Sequence, residues 1–224
     1  MKLPYELSLP QKAFSAAYYA FGALQDPQRG DFVAGLGDVT GLDAGRKLVE
    51  RMMRSSSGRE LLQHKPLITS TTLNPQVLQT MPQTSLGYTY YKYMIKHNFN
   101  TDERPAVKYI QDPDIAYAIL RYRQIHDFWH VICDLPPTLL GEITLKWFEW
   151  KHTGLPSAAL SAYIAPIRLN SNERNLLRTQ YIPWATRTAQ SCSDLMVINY
   201  EHHLYDDLQD LRNIYNIEKA PTDI

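Results

Sequence analysis

The stretch HDFWHVICDLPPTLLGE, residues 126 to 142, sets two imidazoles and three carboxylates among apolar residues. Nitrogen and oxygen donors grouped this way can hold a divalent cation. His126 and His130 are four residues apart, so on a helix their rings lie one above the other on one face. Asp127 stands about 100° around from His126 and about 60° from His130 at 3.6 residues per turn, so all three can converge on one point. The spacing works as in H-E-x-x-H, where two histidines a turn apart chelate one ion. Aspartate replaces the catalytic glutamate of that motif, so a metalloprotease is excluded and a short ligand side chain is favoured.

Depth along the following turn selects the fourth ligand. The first helix should stop near Asp134 and the next should start near Thr138. His130 and Glu142 then each lie roughly 6 Å from the corner at 1.5 Å per residue, and an antiparallel hairpin brings them level. Glu149 shares a face with Glu142 but lies about 10 Å further along, which makes it the poorer ligand. Asp134 is too close to the corner. His126, Asp127, His130 and Glu142 carry a formal charge of minus two, which a divalent cation neutralises; without one, neighbouring buried carboxylates are costly. Mixed N/O ligation favours Zn²⁺, with Fe²⁺ or Mn²⁺ as alternatives, and disfavours Ca²⁺ and Cu(I). Four ligands in a closed tetrahedron make a structural site, whereas an open position makes a Lewis acid. The plain alternative pairs Glu142 with Lys146 at i+4 and leaves Asp127 solvated. The matched set of four outweighs it.

Helices must position these groups. Ile115, Ile119, Tyr122, His126, Trp129 and Cys133 follow 3-4 spacing, with Asp112 as N-cap and Pro113 at the first helical position. TLLGEITLKWFEWKH supplies the partner helix, ending near Gly154. Helical patterns also run from about Pro10 to Leu24, through DAGRKLVERMMRS and through the tyrosine-rich SLGYTYYKYMIKHN. PQRGDFVAGLGDVTGLD is punctuated by glycine and reads as irregular. LITSTTL is the only short β-branched run worth naming. The expectation is an all-α protein, one multi-helix domain over 1–224 built around a metal-binding helical hairpin.

Bulk properties fit that reading. The 224 residues are 44% hydrophobic and 21% charged, with a formal net charge of zero, ordinary for a globular chain and without the basic surplus a nucleic-acid binder needs. Cys133 and Cys192 are the only cysteines and read as buried thiols rather than a disulfide scaffold. No apolar run is long enough to span a bilayer, and the first residues lack the features of a signal or transit segment. GLGDVTG lacks a Walker lysine, and no G-x-S-x-G occurs. Glu201, in YEHH, is expected to partner a buried arginine.

RYRQIHDFWHVICDLPPTLLGEITLKWFE resembles the signature of the coenzyme Q (ubiquinone) biosynthesis protein 4 family, H-D-x-x-H followed after eleven residues by E. It maps onto His126, Asp127, His130 and Glu142 without a gap. DPQRGDFVAGLGDVTG, SLGYTYYKYM, PIRL and IPWA follow in the family's order, so the resemblance covers nearly the whole chain. Asp38 stands where glutamate is expected, and Ala165 where glycine is. The resemblance implies an all-helical protein held peripherally at a membrane, with zinc or a similar ion at the motif. It implies a role on polyprenylated hydroxybenzoates: either metal-dependent oxidative decarboxylation at ring C1, or a non-catalytic scaffold that carries an isoprenoid lipid to partner quinone-biosynthesis enzymes. A homodimer stays open. The absence of a presequence points to a bacterial, membrane-associated cytoplasmic protein, with the matrix side of the mitochondrial inner membrane as the alternative. Arg121 and Arg123 are candidates for a carboxylate or phosphate head group, although Arg123 lies one turn before Asp127 and could pair with it. Tyr88 and Tyr91 are candidates for an isoprenoid tail, against the plain reading of aromatic core.

Overall fold

The computed structural model describes residues 7–25 and 30–221, and every described element is helical. In order these are α1 (Leu9–Gln25), α2 (Gly30–Thr40), α3 (Leu42–Met53), α4 (Ser56–His64), α5 (Pro75–Leu78), α6 (Leu86–His97), α7 (Pro113–Cys133), α8 (Leu139–Thr153), α9 (Pro156–Ile164), α10 (Ser171–Leu176), α11 (Ile182–Ser191) and α12 (Leu208–Ile214). The all-α expectation holds. Among the described residues there is no strand, only an isolated bridge between Ser85 and Asp207.

Helix α7 is the axis of the fold. It starts where expected: Asp112 accepts from the backbone N–H groups of Asp114 and Ile115, with Pro113 next, which satisfies two of the four free donors at the helix start. Residues all around it are buried, from Ile115 through Trp129 to Cys133, as befits a helix enclosed by others. Helix α3 lies against its first half. Gly45 permits the approach, since a Cβ there would collide with Ile115. Helix α6 covers another side, with Tyr90 stacked on Phe128 at 4.2 Å.

Helix α8 runs antiparallel to α7, across large side chains rather than close backbones. Trp129 meets Phe148 edge-on at 5.6 Å. Thr138 caps α8 by accepting from Gly141 N, and Gly154 ends it with φ 73°. The glycine expected as the stop is there because that left-handed conformation strains any residue with a Cβ.

The irregular reading of residues 27–43 needs correction. Its described part from residue 30 contains the whole of α2. The glycines there serve close packing: a Cβ on Gly35 would enter the ring of Tyr19 on α1. Residues 26–29 lie outside the described residues.

Candidate metal centre

His130 is set by the end of its own helix. Asp134 turns left-handed at φ 60°, and Leu135 N then bonds back to His130 O at 2.9 Å, closing the helix in the Schellman manner. The same turn brings the Leu135 carbonyl to 3.0 Å from His130 Nδ1. A carbonyl only accepts, so Nδ1 carries the ring proton and Nε2 presents its lone pair. That Nε2 is buried, makes no hydrogen bond, and lies 3.1 Å from Glu142 Oε1.

His126 repeats the pattern one turn earlier. Its Nδ1 is 2.6 Å from Glu149 Oε1, and its Nε2 is 3.5 Å from Glu142 Oε2. Glu149 is fully buried, and it also accepts from Tyr122 Oη at 2.5 Å and Lys146 Nζ at 2.6 Å. Burial and Lys146 push the His126 imidazole down, but Glu149 and Glu142 outweigh them and raise its pKa to about 9. Burial opposes the charge on Glu142, and the two histidines overcome it, holding this carboxyl well below its usual range.

Two imidazole Nε2 atoms therefore face one carboxylate, and without an ion the one on His126 carries the extra proton. Negative electron density on all three sides is unfavourable unless a cation or a proton sits between them. The donor atoms of His126, His130 and Glu142 all lie within 4.8 Å of one another. In a tetrahedral zinc site, bonds of about 2.0–2.1 Å set ligand atoms roughly 3.3 Å apart. The two histidine–Glu142 distances, 3.5 and 3.1 Å to different carboxylate oxygens, lie near that span, so the donor set suits a divalent ion once the wider separations within the cluster close in. Glu142 is 37% exposed while His130 is closed off, so the free side of the centre opens towards solvent.

The remaining expected site residues fall elsewhere. Asp127 is buried and ion-paired with Arg104, outside the three-residue cluster. Arg121 is fully buried, and Glu201 takes it in a fork at 2.6 and 2.7 Å. Arg123 does not pair with Asp127. It bonds Asp38, Ala34 O at 2.8 Å and Pro105 O at 3.0 Å. Both guanidiniums are held by interior partners. Tyr88 and Tyr91 lie half-buried with rings 6.4 Å apart, and Tyr91 Oη donates to Gln79 at 3.2 Å. They pack as neighbours on the core. Lys146 pairs with Glu149, not with Glu142.

Three further residues lie beside the centre, and of these Arg104 has no signal in the sequence. Glu149 had been placed too deep for a ligand, yet the same α8 face and antiparallel course put it level with His126. Tyr93 stacks on His130 at 5.6 Å and 23°, and its buried hydroxyl has no hydrogen-bond partner. Burial raises its pKa first, then Asp127 and Glu142 add to the effect. Arg104 carried no local signal, because its partner is 23 residues away. A Cys192–His152 contact of 3.7 Å makes no nucleophile. His152 Nε2 accepts from Leu195 N at 3.0 Å, so Nδ1 is protonated and cannot act as the base. Burial and Asp194 push the Cys192 thiol up to about 12.

The sequence profile described as coenzyme Q (ubiquinone) biosynthesis protein Coq4 matches residues 3–221. The mitochondrial ubiquinone biosynthesis protein coq4 of Schizosaccharomyces pombe is 38% identical over 217 residues, covering 96% of this chain and 80% of that one. The mitochondrial COQ4 homologue of Anopheles gambiae is 37% identical over 213 residues, covering 95% and 76%. That of Bos taurus is 37% identical over 214 residues, covering 96% and 81%. A crystal structure from Nostoc punctiforme, described in terms of ubiquinone biosynthesis, superposes with a TM-score of 0.70 at 19% identity, covering 91% of this chain and 97% of that one. At that identity it speaks for the fold alone. The relatives' names carry the mitochondrial alternative expected above, and the bacterial compartment gains no support from them. Among the described residues no helix is long and apolar enough to cross a membrane.

Proposed function

The chain belongs to the Coq4 family of coenzyme Q (ubiquinone) biosynthesis proteins, and on that premise we propose that it handles polyprenylated hydroxybenzoate intermediates at a divalent metal centre. His126, His130 and Glu142 hold the ion, zinc by donor type with iron or manganese as alternatives. Asp127 joins them only by giving up Arg104. The observation that carries the reading is the pair of Nε2 atoms facing the Glu142 carboxylate, each ring oriented by a bonded Nδ1. An ion there polarises a phenolate or carboxylate oxygen. The protein's part is to fix both imidazole tautomers from outside, through Glu149 and the Leu135 carbonyl, and to leave the Glu142 side open to a ligand.

The activity that best suits this centre within the pathway is removal of the ring carboxyl at C1 with hydroxylation there. The exchange is a two-electron oxidation: the bond from C1 to the carboxyl carbon breaks and CO₂ leaves, and a C1–O bond forms with oxygen from water. Dioxygen supplied in the assay would take the two electrons and two protons as hydrogen peroxide, since zinc itself takes none. Isolated protein given a synthetic prenylated hydroxybenzoate should release the C1-hydroxylated product. His130→Ala should abolish that product while circular dichroism shows the helices intact. Unchanged turnover in the variant would refute a role for the centre in catalysis.

The scaffold reading rests on a different observation. On α1, Phe14, Tyr18 and Phe21 are 76%, 56% and 63% exposed, an aromatic stripe at i, i+4, i+7 suited to a membrane surface that bears the lipid. Flotation with anionic liposomes tests it. The protein should rise with the vesicles, and Phe14→Ser/Phe21→Ser should remain at the bottom. A wild-type protein that remains there contradicts membrane association.

A further inference from the structure

We infer that Arg104, supported by Tyr93, is the anion-binding group at the mouth of the metal centre, and that it takes the carboxylate of an aromatic acid carrying an apolar tail. The inference deepens the metal reading above and rests on it.

Charge balance gives the first argument. Asp127, Glu142 and Glu149 supply three negative charges around the centre, while Arg104 and Lys146 supply two positive ones. A divalent ion with neutral histidines leaves the set one positive charge over, and a monoanion completes it.

Geometry gives the second. Arg104 Nη2 meets Asp127, and no other described residue is seen to accept from its remaining N–H groups. A guanidinium carries five donors in a planar fork that suits a carboxylate. Arg104 is 28% exposed, and its charge is sustained by Asp127 and Glu142 against the cost of burial. Arg121 and Arg123 are spent on interior partners, so neither has a fork to offer.

The walls give the third. Tyr93 lies flat against His130, with Phe99 5.9 Å from Tyr93 and stacked on His97 at 5.7 Å. Phe99 is 42% exposed, and Leu139, one turn before Glu142 on α8, is 39% exposed. An aromatic ring can stack along this side, and the exposed Phe99 beside Tyr93 offers apolar surface to a substituent. The unpartnered Tyr93 hydroxyl supplies a buried hydrogen-bonding group that a bound oxygen would satisfy.

The test compares 3-geranyl-4-hydroxybenzoate with 2-geranylphenol, which lacks the carboxylate, by calorimetry on zinc-loaded and metal-free protein. Wild type should prefer the acid by about tenfold or more, the yield of a charge-assisted bond pair. Arg104→Gln should bring that preference close to one while phenol affinity and zinc content hold. Arg104→Lys should keep part of it, and Tyr93→Phe should weaken the acid by a smaller factor. If Arg104→Gln fails to fold because Asp127 has lost its partner, Arg104→Gln/Asp127→Asn gives the same readout. A wild type with no preference, or a preference that survives loss of Arg104 in zinc-bearing protein, overturns the inference. Wild type that holds no zinc refutes the metal reading instead, and elemental analysis separates the two failures.

Discussion

Replacing Glu149 by glutamine changes one charge and almost no volume, at a residue that never touches the proposed ion. Three donors meet this buried carboxylate: His126 Nδ1, Tyr122 Oη and Lys146 Nζ, at 2.6, 2.5 and 2.6 Å. An amide offers one acceptor oxygen where the carboxylate offered two, and its NH₂ faces a group that is itself a donor. Lys146, with its side chain 19% exposed, loses its counter-charge. Removing one partner of a buried pair costs about 3–5 kcal/mol. For a chain of this length that is a melting shift on the order of 10 °C. The His126 ring also loses the carboxylate that orients it and makes it more basic, which weakens metal binding by about 10–100-fold. Thermal melts of metal-free protein and zinc competition against a chelator read the two effects separately. Glu142→Gln is the contrast: its side chain is part-exposed, so it should lose metal with a smaller shift in the metal-free melt. Wild-type zinc affinity in Glu149→Gln would refute the claim that α8 orients His126 from behind.

Further outcomes follow from the same contacts. Arg121→Met should cost about 3–5 kcal/mol by stranding Glu201, and Arg121→Met/Glu201→Leu should recover most of it, because an apolar pair can replace a buried ion pair; denaturant melts of the two variants check this, and unchanged zinc content would mark Arg121 as structural. Zinc binding near neutral pH should release about one proton, because His126 holds its proton up to about 9 in the metal-free protein and must lose it to ligate; calorimetry in buffers of different ionisation enthalpy counts it, and apparent affinity should rise with pH towards that value. Burial works to raise the Asp194 carboxyl, but His152 and Arg51 outweigh it and hold it at about 2. Its contribution, about 2 kcal/mol, should be intact above pH 4 and lost as pH falls through 2, and Asp194→Asn should flatten the acid limb of the stability curve over that window.

Local chemistry made part of this legible in the sequence. Asp112 and Pro113 announced α7, Thr138 and Gly154 bounded α8, and the depth of His130 and Glu142 about the corner predicted their meeting. These signals act within a turn or two of chain. Helix α2 was misread because glycine was taken as a turn signal, when Gly35 is required by the ring of Tyr19 arriving from α1. The i, i+4 rule suggested Arg123 for Asp127, but Asp38, 85 residues away, took Arg123. Arg104 then filled the gap from a loop. Pairings of that range depend on how helices pack, and side-chain spacing along one helix does not contain them. Glu149 lies two turns beyond Glu142 on the same face of α8, so the antiparallel hairpin that sets Glu142 by His130 also sets Glu149 by His126 Nδ1.

The central claim is that His126, His130 and Glu142 share one divalent ion. Metal-edge X-ray absorption on untagged protein, purified without chelator, tests it most directly. The account predicts about one ion per chain, two imidazoles and oxygen in the inner shell, no sulfur, and loss of the signal in His130→Ala. Protein that holds no stoichiometric metal, or a shell containing cysteine sulfur, would contradict it.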